Sequence, residues 1–176
     1  NIRFISEATN TQSVCVTKGK HGALLFYENK WYKNSGYQVK VVDTVGAGDS
    51  FLGSLISELL NGHHPQESLN FASASGALVA KNKGANPCIS RDDINEFLNF
   101  KKIIDQSKFS YNEIKNLYFF PSKRWDLEIR NNTIIKLSQN FTKESLDLVL
   151  EFLHNNDFKD NKIVDARIKN QIILND

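Results

Sequence analysis

Val41-Val42-Asp43-Thr44-Val45-Gly46-Ala47-Gly48-Asp49-Ser50-Phe51 joins an apolar, β-branched run to a helical pattern. Gln38 to Val42 reads as a strand, the glycines as a loop, and a helix is expected from about Asp49. Phe51, Leu52, Leu55, Ile56, Leu59 and Leu60 recur at helix spacing and give that helix an apolar stripe. Gly46 and Gly48 let the backbone turn tightly and expose consecutive N–H groups at the helix start. Unpaired N–H groups and the positive end of the helix dipole then point the same way, which suits an anion. Asp49 is a carboxylate set among those donors. It reads either as a helix cap or as a general base held where a phosphoryl group and a hydroxyl meet.

Two familiar nucleotide motifs fail on this stretch. A P-loop needs Lys after its last glycine, and none follows Gly48. A dinucleotide fingerprint needs a third glycine where Phe51 stands. Spacing alone therefore leaves a phosphate-handling loop and a purely structural strand-turn-helix both open.

The segment Asp43 to Phe51 closely resembles the C-terminal signature of the ribokinase-like (PfkB) carbohydrate kinases. The chain from about Ser13 to Leu98 is similar to the last third of such an enzyme, nearest to fructokinases. The resemblance implies ATP-dependent phosphorylation of a sugar hydroxyl, with Mg²⁺ as cofactor. It casts Asp49 as the base that deprotonates the sugar, and the N–H groups of Gly46, Ala47 and Gly48 as an anion hole. That division of labour suits phosphoryl transfer, which asks mainly for positioning and charge stabilisation.

Length and composition set the frame. The chain has 176 residues, 40% hydrophobic and 24% charged, as expected of a globular chain holding one ordinary domain or two small ones. Net charge is +2, with nine basic and nine acidic side chains in residues 1–100 and thirteen and eleven beyond, so no basic stripe argues for nucleic acid. No apolar run approaches the ~20 residues of a membrane helix, and no signal-like N-terminus is present. Cys15 lies in an apolar strand pattern and reads as a buried reduced thiol, not a disulfide or metal ligand. The four His lack ligand spacing, and His63-His64 reads as an exposed loop. No Met occurs, so the chain is expected to be trimmed or a fragment.

In order, Ser13 to Val16 and Ala23 to Tyr27 read as strands around the loop Thr17 to Gly22. By resemblance, Thr17 and Gly19 match a loop that touches the nucleotide phosphates. Glu28-Asn29-Lys30 is a turn, and Trp31 to Val42 is expected to return as strand. Asn61-Gly62 closes the signature helix, and Pro65 opens the next, about Gln66 to Lys81. Its small residues Ala72 to Ala77 fit close helix packing; the resemblance instead assigns that face, with Ser73, to the adenine pocket. Lys81 to Pro87 is a loop by composition. It resembles the family's Gly-Ala loop, which with Asp43–Val45 can hold a monovalent cation such as K⁺ through backbone carbonyls. Ser90-x-x-Asp93 has the form of a capping box, with Asp for the usual Glu.

Beyond about residue 100 the character changes. Asn116 to Phe120, Arg124 to Ile129 and Thr133 to Leu137 read as strands, with turns at Pro121-Ser122-Lys123 and Asn131-Asn132. Thr142 caps a helix running through His154, with Leu146, Val149, Leu150 and Leu153 on one side. Lys162 to Ile168 and Gln171 to Leu174 form a last strand pair. The sum is a small α+β module in β-β-α-β-β order. Arg124-Trp125-Asp126-Leu127, the following hairpin and Val164-Asp165-Ala166-Arg167 resemble the β-domain of the cell-division protein FtsQ. That resemblance implies a periplasmic module that binds division proteins by strand addition.

The expected architecture is α/β: residues 1–99 as the C-terminal part of a ribokinase-like kinase, and 100–176 as the FtsQ-like module. A sugar kinase belongs in the cytoplasm and an FtsQ β-domain in the periplasm, so a truncated or joined product is expected. The family's sugar is held mainly by residues that find no match in this chain, so little turnover is expected from it alone. The alternative is a non-enzymatic division-protein module.

Overall fold

A computed structural model describes residues 2–120, 122, 124–140, 142–155 and 163–175. Its architecture is α/β and divides into two compact units, residues 1–98 and 99–176.

Unit 1 begins with helix α1 (Ile2–Thr9) and an antiparallel meander of β1 (Ser13–Thr17), β2 (Ala23–Tyr27) and β3 (Lys30–Asn34). The β2–β3 turn is tight because Glu28 and Asn29 both take positive φ, 47° and 62°. Helices α2 (Ala47–Leu60) and α3 (Pro65–Ala80) pack along one another, and α3 also packs on the sheet. Their core is Ala23 and Leu25 from β2, Phe51 and Leu55 from α2, and Leu69 and Ala72 from α3. Cys15 packs against this cluster as a free thiol, and burial raises its pKa.

The small residues of α3 serve packing as the sequence suggests. A Cβ on Gly76 would lie 3.0 Å from the Ala47 carbonyl oxygen, so α3 meets the start of α2 at close range. Asn61 closes α2, with Gly62 at φ 78° just after it, and Pro65 opens α3 behind a His64 cap. Helix α4 (Arg91–Gln106) starts with a true capping box. Ser90 N donates to Asp93 Oδ2 at 2.8 Å, and Asp93 N donates back to Ser90 Oγ at 3.1 Å.

Two expectations for unit 1 need correction. Strand structure ends at Asn34, and Gln38 to Val42 form no strand although their β-branched side chains favour one. A strand is defined by its partner, and none pairs with this segment among the described residues; Val42 N donates instead to the Ala80 carbonyl at the end of α3, at 2.9 Å. Nor does the apolar stripe of α2 form a single buried face. Phe51 and Leu55 are buried, while Leu52, Ile56 and Leu60 are 52%, 48% and 83% exposed.

Unit 2 holds a five-stranded sheet of β4 (Ile114–Phe119), β5 (Trp125–Ile129), β6 (Ile134–Leu137), β7 (Ile163–Ala166) and β8 (Ile173–Asn175), hydrogen-bonded in that order. All neighbours are antiparallel except β6 and β7, which are parallel and joined through helix α5 (Thr142–Asn155), as a parallel pair requires. Three strands therefore precede the helix, correcting the β-β-α-β-β order to β-β-β-α-β-β. Leu117, Leu127, Ile135 and Val164 form one fully buried face with Leu146 and Val149 of α5. Asn131-Asn132 makes the expected turn, with Asn132 at φ 67°. Of the residues read from sequence as turn and strand ends, Pro121, Lys123 and Lys162 lie outside the described residues.

Candidate functional site

The site follows from how α2 begins. Gly46 takes φ 79°, a left-handed conformation that Gly adopts without steric cost, and it caps the helix. A Cβ there would also fall 2.0 Å from the Ala85 carbonyl oxygen, so the loop after α3 packs directly on this turn. Asp43 ties the same two segments. Its carboxylate accepts from Val45 N at 3.0 Å and from Gly84 N at 3.1 Å. Those two donors, Val45 first, hold its pKa below the usual carboxylate value.

The helix begins at Ala47, so Asp49 stands in its first turn and is not its cap. Its side chain is exposed, and among the described residues no hydrogen bond or ion pair engages it. Of the three N–H groups expected in an anion hole, that of Ala47 donates to the Thr44 carbonyl at 3.2 Å. The first-turn N–H groups of Gly48 and Asp49 have no carbonyl one turn back inside the helix. Gly48 differs from Gly46 in kind: its φ is ordinary and a Cβ there would meet nothing within 4 Å. No packing among the described residues calls for glycine at 48.

Of these residues Gly46 and Asp49 line a cleft of about 360 Å³, whereas Asp43, Ala47 and Gly48 stand beside it. Val45, Gly46, Asp49 and Ser50 form one wall; Ser75 and Val79 of α3 and residues 85–87 and 89 form the rest. Ser50 and Ser75 join α2 to α3 there through a hydroxyl–hydroxyl bond of 2.6 Å. The sequence reading overlooked Ser50, Ser75 and Ile89 as cleft residues. Their signal is weak, because serine at a helix interface looks like ordinary packing.

Other expected site residues lie elsewhere. Thr17 ends β1 and Gly19 opens a short 3-10 turn at φ 55°; both are exposed and neither lines the cleft. Ser73 is buried in α3 and does not line the cleft either; its Oγ has no hydrogen-bond partner among the described residues. No cluster of three or more His, Cys, Asp or Glu suited to a metal occurs among the described residues. A divalent ion here would be held largely by phosphate oxygens and water, as suits Mg²⁺. No helix among the described residues is long and apolar enough to cross a membrane.

The chain is similar to several known kinases. The probable fructokinase-2 of Arabidopsis thaliana is 34% identical over 101 residues, covering 53% of this chain and 30% of that protein. Phosphofructokinase-2 from Escherichia coli, solved in complex with potassium, superposes with a TM-score of 0.51 at 28% identity, over 57% of this chain and 32% of that one. Ribokinase from Arabidopsis thaliana, solved with ribose and ATP, gives 0.50 at 29% identity, over 61% and 33%. The chain spans about a third of the length of the curated relatives it matches. The profile of the pfkB family carbohydrate kinases matches residues 4–92, half of the chain, and the chain belongs to that family.

Proposed function

We propose that unit 1 binds Mg²⁺-ATP and supplies the base and anion hole for phosphoryl transfer to a sugar hydroxyl, as in a fructokinase. The observation that carries this reading is Asp49, an exposed carboxylate in the cleft that has no partner among the described residues and stands in the first turn of α2. Asp49 accepts the proton of the sugar hydroxyl, while the N–H groups of Gly46 and Gly48 stabilise charge on the phosphoryl group, joined by that of Ala47 once it leaves the Thr44 carbonyl. Gly48 supports the assignment, since its missing side chain leaves room for a close approach that the fold itself does not use. Thr17, Gly19 and Ser73 are proposed to contribute to nucleotide binding. The loops at Asp43–Val45 and Gly84–Ala85, already tied by the Asp43 carboxylate, are proposed to hold K⁺ through their carbonyls. The compartment this reading implies is the cytoplasm. Turnover by the chain alone is expected to be low, because reaction depends on an acceptor aligned within ångströms of the phosphoryl group.

Titration calorimetry with Mg²⁺-ATP tests the reading, on the chain as it stands and on Gly48→Val. Micromolar binding that disappears in the variant supports it. A folded chain that binds no nucleotide overturns it.

A second reading concerns unit 2 alone: a non-enzymatic, FtsQ-like module that binds division proteins. It is favoured by one observation, that β8 lies at a sheet edge with all three residues exposed and can accept a further strand. A pull-down with late division proteins, repeated with Leu174→Pro, decides it.

A further inference from the structure

Ser50 of α2 and Ser75 of α3 both line the cleft, and their hydroxyl oxygens lie 2.6 Å apart. Two hydroxyls carry two protons, and the bond between them uses one. Burial decides which. Ser75 is 4% exposed, and among the described residues Ser50 is the one hydrogen-bond partner of its side chain. Were Ser75 the acceptor, its own proton would be buried without a partner, which is unfavourable. Ser75 therefore donates and Ser50 accepts. The proton left over is that of Ser50, whose side chain is half-buried at the cleft wall. Nothing takes it among the described residues: the Gly46 carbonyl bonds Ser50 N instead, at 2.9 Å, and the Asp49 carboxylate has no partner. Ser50 thus presents one O–H donor to the cleft, and a hydroxyl that accepts a bond donates a stronger one. The pair is also firmly seated. A Cβ on Gly76, next to Ser75, would lie 3.0 Å from the Ala47 carbonyl oxygen, so α2 and α3 meet at close range there.

We propose that Ser50 donates this proton to a phosphate oxygen of the bound nucleotide, with Ser75 as the positioning residue that aims it. This assignment rests on the reading of unit 1 as a Mg²⁺-ATP site, and it adds a donor to that site. Three observations choose an anionic oxygen as the acceptor. Ser50 directly follows Asp49 and stands one turn from Gly46, at the end of α2 where the helix dipole favours negative charge. The backbone there is short of donors, since the Ala47 N–H is held by the Thr44 carbonyl. Beside the engaged Ser75, Ser50 and the exposed Asn86 are the side-chain donors of the cleft; ionised Asp49 only accepts, and the other lining residues are apolar or glycine. A bond that merely tied the two helices together would leave the second proton without a task.

Titration calorimetry with Mg²⁺-ATP on the full chain tests this, with urea unfolding as the control for folding. Ser50→Ala is expected to raise Kd about tenfold, the effect of losing a hydrogen bond to a charged group. Ser50→Cys keeps the size of the side chain but donates weakly, and is expected to lose as much. Ser75→Ala is expected to raise Kd about threefold, because Ser50 keeps its proton and loses its orientation. The double variant should bind like Ser50→Ala, since Ser75 acts only through Ser50. A role confined to joining the helices would move urea stability and leave Kd alone in all four. Wild-type chain that binds no Mg²⁺-ATP overturns the reading of unit 1 and this assignment with it. Wild-type chain that binds, while Ser50→Ala or Ser50→Cys binds equally well, overturns this assignment alone. So does a Ser75→Ala loss that adds in full to that of Ser50→Ala, which would make Ser75 a contact in its own right.

Discussion

The carboxylate of Asp43 and the backbone N–H of Gly84 meet at 3.1 Å across 41 residues of sequence, and Val45 N donates to the other oxygen of the same carboxylate. One side chain thus holds together the loop before α2 and the loop after α3. The first forms the turn at the proposed anion hole, and the second closes the cleft. Asp43→Ala is expected to accelerate hydrogen exchange at the Gly84 and Val45 amides and to weaken Mg²⁺-ATP binding about tenfold, leaving α2 and α3 intact. Because the folded pKa is lowered, the tie is complete above the ordinary carboxylate range and is lost as pH falls through the lowered value. Amide exchange at Gly84 in wild type should therefore rise with acidification, beyond the intrinsic pH trend, and should do so less in the variant.

Gly46 and Gly48 are expected to respond to the same substitution with opposite signs. Gly46→Ala forces a Cβ to within 2.0 Å of the Ala85 oxygen at φ 79°, and should destabilise unit 1 by ~1–3 kcal/mol. Gly48→Ala meets open space inside a helix and should stabilise it by ~0.5–1 kcal/mol. Urea unfolding measures both. Loss of nucleotide binding in the more stable Gly48→Ala protein would separate function from folding at this position; unchanged binding would remove Gly48 from the site.

Local signals were legible in this sequence where the chain itself completes the structure. Asn61-Gly62, Pro65 and the Ser90/Asp93 capping box act within a few residues, and each appears where the sequence places it. The hairpin at Asn131-Asn132 is similarly local. Gln38 to Val42 has the right residues for a strand, but strand formation depends on a partner that periodicity cannot supply. The α2 stripe failed for a related reason: six apolar positions fix how apolar the helix is, not how many layers cover it. The cleft was half legible. The glycines and Asp49 announce themselves by motif, whereas Ser75 and Ile89 reach it only through the packing of α3 and the 85–89 loop.

The Ser90/Asp93 box gives a compact test of helix energetics. Ser90 Oγ both accepts from Asp93 N and donates to Asp93 Oδ2, at 3.1 and 2.7 Å. Ser90→Ala removes the side-chain acceptor for a first-turn N–H and should cost ~1 kcal/mol in urea unfolding. Asp93→Glu restores the commoner form of the box and should cost far less. Equal losses in the two variants would show that the position of the Asp93 carboxylate decides the effect, and that charge near the helix start, which Glu retains, does not suffice.

Glu128 should dominate the acid response of unit 2. Its carboxylate accepts from Lys115 Nζ, Asn116 Nδ2 and Tyr118 Oη, each at 2.7 Å, across the β4–β5 pair. The lysine, then the amide and the phenol, lower its pKa from 4.5 to about 2. A depressed carboxylate pKa stabilises the fold fully above the unfolded value, and that contribution disappears as pH falls from 4.5 towards about 2. Glu128→Gln should therefore lower stability at neutral pH and flatten its pH dependence across that window, as read by urea unfolding at a series of pH values. Tyr118 supplies an independent readout. Its hydrogen bond to Glu128, followed by burial, raises the phenol pKa, because ionising the phenol removes the proton it donates and places two negative groups together. Ultraviolet titration of Glu128→Gln should show one tyrosine ionising at lower pH than in wild type. A flattened acid profile without that tyrosine shift would assign the acid response to Lys115 and Asn116, with Tyr118 outside the network.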